Sequence, residues 1–119
     1  MTFYDREGVP TAYLDSDREH IYLFDGSPGA YIHEDAVYGF DGTQYGWFEQ
    51  GWVRDLDGFC VLFTEAARIG GPSKPSRYEI PAKWAKSARP FKRARAAKCS
   101  KTAYRAAWSE MTASQFFRR

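Results

Sequence analysis

The chain has 119 residues, 18% of them aromatic and only two of them cysteine, which suits one small domain with a ring-rich core and excludes a disulfide scaffold. It contains no apolar run of the ~18 residues a membrane-spanning helix needs, and its first ten residues carry Asp5, Arg6 and Glu7 where a leader peptide would be apolar, so a cytoplasmic protein is expected. The formal charge of +2 conceals an opposition: residues 1–65 hold thirteen acids against Arg6, Arg18 and Arg54, a net −10, whereas residues 66–119 hold fourteen Lys or Arg against Glu79 and Glu110, a net +12.

The acidic part is a repeat. Aligned on Gly8, Gly26, Gly42 and Gly58, it shows an acid one residue earlier (Glu7, Asp25, Asp41, Asp57). Four residues before each glycine stand Tyr4, Tyr22, Tyr38 and Arg54, and five before stand Phe3, Ile21, Val37 and Val53. After the glycine come a mostly small column (Ala12, Ala30, Gly46, Leu62) and then an aromatic one (Tyr13, Tyr31, Trp47, Phe63). An acid-glycine step between runs rich in Tyr, Val, Ile and Trp is a hairpin signature. The prediction is mainly β: four tandem hairpins of about sixteen residues in a pseudo-four-fold arrangement, because one hairpin alone is marginal in water. In the first copy Asp5-Arg6-Glu7-Gly8 suggests a longer loop; in the others a two-residue turn centred on Asp-Gly places the small and aliphatic columns together near a shared axis. The aromatic column then packs between neighbouring hairpins. Pro10 and Pro28 are expected at strand starts or edges.

Residues 1–69 therefore read as the repeat domain and 70–119 as a basic tail. Gly70-Gly71-Pro72 marks the boundary, and four prolines up to Pro90 make a Pro-rich linker. From Phe91 to Trp108 the Ala, Lys and Arg content is compatible with a helix. Thr112 and Gln115 have capping-box spacing for a short helix that carries Phe116 and Phe117. With Trp108, these two rings are docking candidates, either on the protein's own hairpins or on a partner protein. A tail of +12 can also lie on a neighbouring copy's head, which allows a homo-oligomer.

Functional motifs are sparse. Cys60, between Phe59 and Val61, reads as a buried small hydrophobe, and both cysteines read as reduced thiols. His20 and His33 fall in inter-hairpin links and read as solvated turn residues. The acids before the glycines would form a ring but are already accounted for by the turns, and Tyr4, Tyr22 and Tyr38 read as packing residues. No nucleophile–base pair, phosphate loop or dinucleotide fingerprint occurs. Neither a metal nor a cofactor is expected, and catalysis is not. An interaction or structural module is the main reading. The alternative is an accessory protein that binds nucleic acid without sequence preference through Lys92, Arg93, Arg95, Lys98, Lys101 and Arg105, with Trp84, Phe91, Tyr104 and Trp108 stacking on bases.

The stretches Phe3 to Leu14, Ile21 to Ile32, Val37 to Phe48 and Trp52 to Thr64, followed by Gly70-Gly71-Pro72-Ser73-Lys74-Pro75, resemble the four-fold β-flower proteins, small bacterial proteins named for four hairpin petals. Trp108-Ser109 and Gln115-Phe116-Phe117 match the way that family closes. Relatives often carry a Pro-Lys-Val-rich tail, whereas this one is richer in Ala and Arg. The resemblance implies the fold and brings no activity with it.

Overall fold

The computed structural model describes residues 1–118. Eight short strands follow in order: β1 (Thr2–Tyr4), β2 (Pro10–Leu14), β3 (His20–Leu23), β4 (Pro28–His33), β5 (Ala36–Tyr38), β6 (Gln44–Glu49), β7 (Trp52–Asp55) and β8 (Cys60–Phe63). Each pairs antiparallel with the next, and β1 closes on β8 to make a barrel. Each repeat is one hairpin. The molecule is a disc of 36 × 36 × 22 Å.

The turns differ from the two-residue expectation. In every repeat the glycine N–H bonds to the carbonyl three residues back: Gly8 to Asp5, Gly26 to Leu23, Gly42 to Gly39 and Gly58 to Asp55. The next bond closes around a three-residue loop, as from Gly39 N–H to Thr43. The glycine is therefore the last loop residue, at φ between +86° and +92°, where a side chain is penalised. Asp25 and Asp41 brace their turns by accepting the amides of Ser27 and Thr43. In the first and fourth turns Asp5 and Asp55 do this instead, taking two amides each.

A three-residue loop should shift the register by one and turn the faces over. It does not, because each hairpin also carries a bulge. Tyr4 pairs with Pro10, but Phe3 pairs with Ala12, leaving Thr11 without a partner across the ladder. The same skip falls at Gly29, Tyr45 and Val61. The extra residue in the strand offsets the extra residue in the loop. The expected faces are thus restored: Phe3 lies opposite Ala12, Ile21 opposite Ala30, Val37 opposite Gly46 and Val53 opposite Leu62. These residues, apart from Gly46, belong to one buried apolar cluster. Pro10 and Pro28 open their strands, as expected.

The aromatic columns meet between hairpins. Tyr13 pairs with Tyr22, Tyr31 with Tyr38, Trp47 with Arg54 and Phe63 with Tyr4. The three ring-on-ring pairs stack with centroids 5.3–6.0 Å apart, a favourable aromatic geometry. Among the described residues Phe63–Tyr4 is the ladder pair that joins β8 to β1 and closes the barrel.

The helix compatible with residues 91–108 does not form; that segment has no regular secondary structure apart from a bridge at Trp108. Helix propensity is a weak preference, and here the backbone is committed to the hairpins instead. Among the described residues the one helix, α1 (Ala113–Phe116), starts with the expected capping box: Gln115 N–H donates to Thr112 Oγ1, and Thr112 N–H donates to Gln115 Oε1.

Candidate functional site

The basic tail is a girdle around the rim of the disc. Its carbonyls cross the four turn glycines in order and at equal steps. A Cβ built on Gly8, Gly26, Gly42 or Gly58 would lie 1.9–2.5 Å from the carbonyl oxygen of Ser76, Ala85, Ala94 or Ala103, a nine-residue period. Two residues later, the N–H groups of Tyr78, Ser87, Ala96 and Arg105 donate to those same glycines' carbonyls. Trp84 and Arg93 donate to Phe24 and Phe40, and Thr102 Oγ1 donates to Leu56. Nine extended residues reach about 30 Å, close to a quarter of the rim of a disc 36 Å across.

The side chains keep the same period. Lys74, Lys83, Lys92 and Lys101 sit over Phe63, Tyr13, Tyr31 and Trp47, with Nζ 4.2–5.9 Å from the ring centroids. Three residues on, Arg77, Lys86 and Arg95 sit over Tyr4, Tyr22 and Tyr38 at 5.3–6.0 Å. Each inter-hairpin ring pair is thus covered from outside by a Lys-x-x-cation step. A cation in such a place contributes about 0.5–2 kcal/mol. The hydroxyls of Tyr13 and Tyr31 and Nε1 of Trp47 are buried without a partner among the described residues, so these rings are held by their faces.

The fourth position inverts the pattern. The head offers Arg54 and the tail offers Tyr104, with the guanidinium carbon 4.2 Å from the ring centroid. Arg54 is 1% exposed and donates to the carbonyls of Gly58, Arg105 and Gly70. The Tyr104 hydroxyl donates to Glu49. Burial, with Glu49 adding to it, pushes that phenol's pKa up, so it stays protonated.

The acids of the links receive the remaining tail charge. Arg77 pairs with Glu65, Lys86 with Asp15, Arg89 with Asp17, Lys92 with Glu19, Lys98 with Glu34 and Asp35, and Lys101 with Asp35 and Glu49. Most of these pairs are solvent-exposed and worth about 0–1 kcal/mol each. The backbone bonds and the rings carry more of the docking. The bond from Lys86 lowers the pKa of Asp15, and Lys92 does the same for Glu19. For Asp17 burial works in the opposite direction, but the amides of His20 and Glu19 and the His20 side chain hold its carboxyl well below the usual range.

His20 corrects an expectation. It is not solvated but 5% exposed, with Nδ1 2.6 Å from Asp17 and its ring stacked on Phe40. The tail passing over the link covers it. His33 does stay partly exposed, 3.9 Å from Glu34. Cys60 is buried and Cys99 exposed, and both are free thiols; burial lifts the Cys60 pKa to about 11, which leaves it a poor nucleophile.

The tail's three docking candidates, Trp108, Phe116 and Phe117, all pack on the protein itself. Trp108 forms a parallel bridge with Cys60 and packs its ring against Trp52 and Phe63. Phe116 is fully buried, edge-on to Tyr45, and Phe117 packs against it. Of the polyanion candidates, Lys92, Lys98 and Lys101 are ion-paired, while Arg95 lies over Tyr38 and Arg105 over Phe59; Arg93 engages the head through its backbone N–H. Exposed apolar side chains remain on the girdle's outer edge: Tyr78, Ile80, Trp84 at 70% and Phe91 at 98%. Sequence reasoning missed Lys74, Arg77, Lys83, Lys86 and the Arg54–Tyr104 inversion. A lysine at every ninth position from 74 to 101 was the available signal.

Among the described residues no helix is long and apolar enough to cross a membrane. No curated protein and no solved structure matches the chain. A family model described as the 4-fold beta flower protein matches residues 1–117, and with four hairpin petals closed into one ring the chain belongs to that family.

Proposed function

We propose that the chain is a non-catalytic interaction module: an acidic hairpin scaffold that holds its own basic tail and presents the tail's outer edge to a protein partner. What supports this most is the matching period of tail and head, with a lysine over a ring column of each successive hairpin. Among the described residues Arg77, Lys86, Arg89, Lys92, Lys98 and Lys101 are ion-paired with the head, while Tyr78, Ile80, Trp84 and Phe91 face solvent. Single apolar side chains on a surface are ordinary, but several on one short segment suit recognition. Two free cysteines fit a cytoplasmic setting. The test is affinity capture with the full chain and with its Trp84→Ala/Phe91→Ala variant. A partner retained by the first and lost by the second supports the reading; identical captured sets reject the outer edge as the contact.

The rival is nucleic-acid binding. It is favoured by the exposed Trp84 and Phe91 beside Lys83 and Arg93, since rings next to cations suit single strands. Fluorescence anisotropy with oligonucleotides at about 0.1 M salt decides it, because such binding falls steeply with salt. No binding at tens of micromolar protein removes it.

A further inference from the structure

A repeating tail on a repeating head poses a register problem. Slide the tail back by nine residues, and Lys83, Lys92 and Lys101 again meet ring columns and the carbonyls of Ala85, Ala94 and Ala103 again meet turn glycines. The link restricts the direction. Trp52 Nε1 donates to Ile69 and Arg54 to Gly70, so the tail's start is pinned beside the fourth hairpin. Slack can be added to the link but not removed, and the accessible slip moves Arg95 to the second hairpin and Tyr104 to the third.

We propose that the Arg54–Tyr104 pair is the key that fixes the tail's register. This rests on the reading that the tail docks on its own head. At three positions the head supplies a ring and the tail a cation, and at the fourth alone the roles are exchanged. In the slipped register Tyr104 would lie over Tyr38, giving two rings and no cation. Its hydroxyl would leave Glu49, the acid it donates to in place. Arg54 would lose both its ring and the Arg105 carbonyl while remaining buried. Both members of the key are therefore penalised by one slip, which also draws Trp108, four residues on, away from Trp52 and Phe63, whereas the ring-and-cation positions at Tyr4 and Tyr22 are indifferent to it. The rival explanation is that the anchors Trp108 and Phe116 set the register by themselves.

Exchanging the key separates the two. Arg54→Tyr/Tyr104→Arg converts the fourth position into an ordinary one and leaves the residues Trp108 and Phe116 unaltered. Cys99 is exposed and Cys60 buried, so a benzophenone maleimide on the native full chain labels residue 99. The Cys99 N–H donates to Gln44 Oε1. Photo-crosslinks mapped by peptide mass spectrometry should therefore fall at residues 43–45 in the unaltered protein. In the exchanged variant a second set should appear around Pro28, the equivalent place one hairpin back. Crosslinks that stay confined to 43–45 in that variant would assign the register to the anchors and overturn the proposal. Absence of the 43–45 crosslinks in the unaltered protein would overturn tail docking itself, and the key with it. If the exchanged variant does not fold, Tyr38→Arg/Arg95→Tyr installs a second matched inversion at the third hairpin. The proposal requires it to keep the crosslinks at 43–45, and their dispersal would reject the key.

Discussion

Arg54 and Tyr104 stack with the guanidinium carbon 4.2 Å from the ring centroid, on a side chain that three backbone carbonyls also claim. Among the described residues no carboxylate pairs with this buried cation, which is stabilised by dipoles and a ring face. Replacing Arg54 with Met should keep the volume and remove every donor. The stranded carbonyls of Arg105 and Gly70 should cost about 2–4 kcal/mol, on the scale of buried acceptors left unsatisfied. Arg54→Lys should fall in between, since an ammonium cannot reproduce the planar fork. Chemical denaturation of the three proteins checks the order; a Met variant as stable as the parent would show that the carbonyls are solvated some other way.

Gly42 should resist substitution for two reasons at once. Its φ of +92° alone costs an alanine about 1–2 kcal/mol. The new Cβ would also sit 2.2 Å from the Ala94 carbonyl oxygen, so the girdle must lift. Gly42→Ala should lower the melting temperature and, distinctively, reduce amide protection at Arg93 and Ala96, whose N–H groups bond Phe40 and Gly42. A lower melting temperature with those amides still protected would confine the effect to the turn.

The hairpins were legible because strand periodicity and turn chemistry are local. Columns such as Phe3, Ile21, Val37 and Val53 declare one face without any knowledge of the fold. The turn type was not legible. A three-residue loop and a bulge at Thr11, Gly29, Tyr45 and Val61 cancel in the register, and the sequence pattern they leave is that of a simple two-residue turn. The tail was misjudged for a different reason. Its Ala, Lys and Arg content favours a helix, but hydrogen bonds to Gly26, Phe40 and Gly42 override a preference worth tenths of a kcal/mol per residue. Arg54 looked like a break in the Tyr column, and only its contact with Tyr104 explains it.

Phe116 and Trp84 should behave oppositely. Phe116 is fully buried against Tyr45 in the barrel cluster, so Phe116→Ala should cost about 3–5 kcal/mol, a large share of a small protein's stability. Trp84 is 70% exposed, and Trp84→Ala should change stability by no more than about 0.5 kcal/mol. Thermal melts of the two variants test this directly. A mild Phe116→Ala would mean that the C-terminal helix is an ornament on a core complete without it.

Acid should loosen the girdle before it unfolds the hairpins. The carboxyls of Asp15, Glu19 and Asp35 are held below their ordinary pKa, chiefly by side-chain bonds from Lys86, Lys92 and Lys101 respectively. A depressed folded pKa means stability that is fully present above the unfolded value, near ~4, and is lost as the pH falls through the folded one. On the basic side, Lys86 and Lys98 have pKa values raised by the bonds they donate to Asp15 and to Glu34 and Asp35. Their contribution is full below the unfolded lysine value, near ~10.4, and fades only as the pH climbs through the raised one. Tail docking should therefore be flat from about pH 5 to pH 10 and weaken below about pH 4. Protection factors for the amides of Trp84, Arg93 and Ala96 report on it, because all three bond the head. They should drop below pH 4 while barrel amides such as that of Ile32, bonded to Glu19, hold. Raising salt to about 1 M shortens the screening length to about 3 Å and should weaken the ion pairs without freeing the tail, since rings and backbone bonds persist. Release of the tail by salt alone would show that charge, and not the nine-residue fit, holds the girdle.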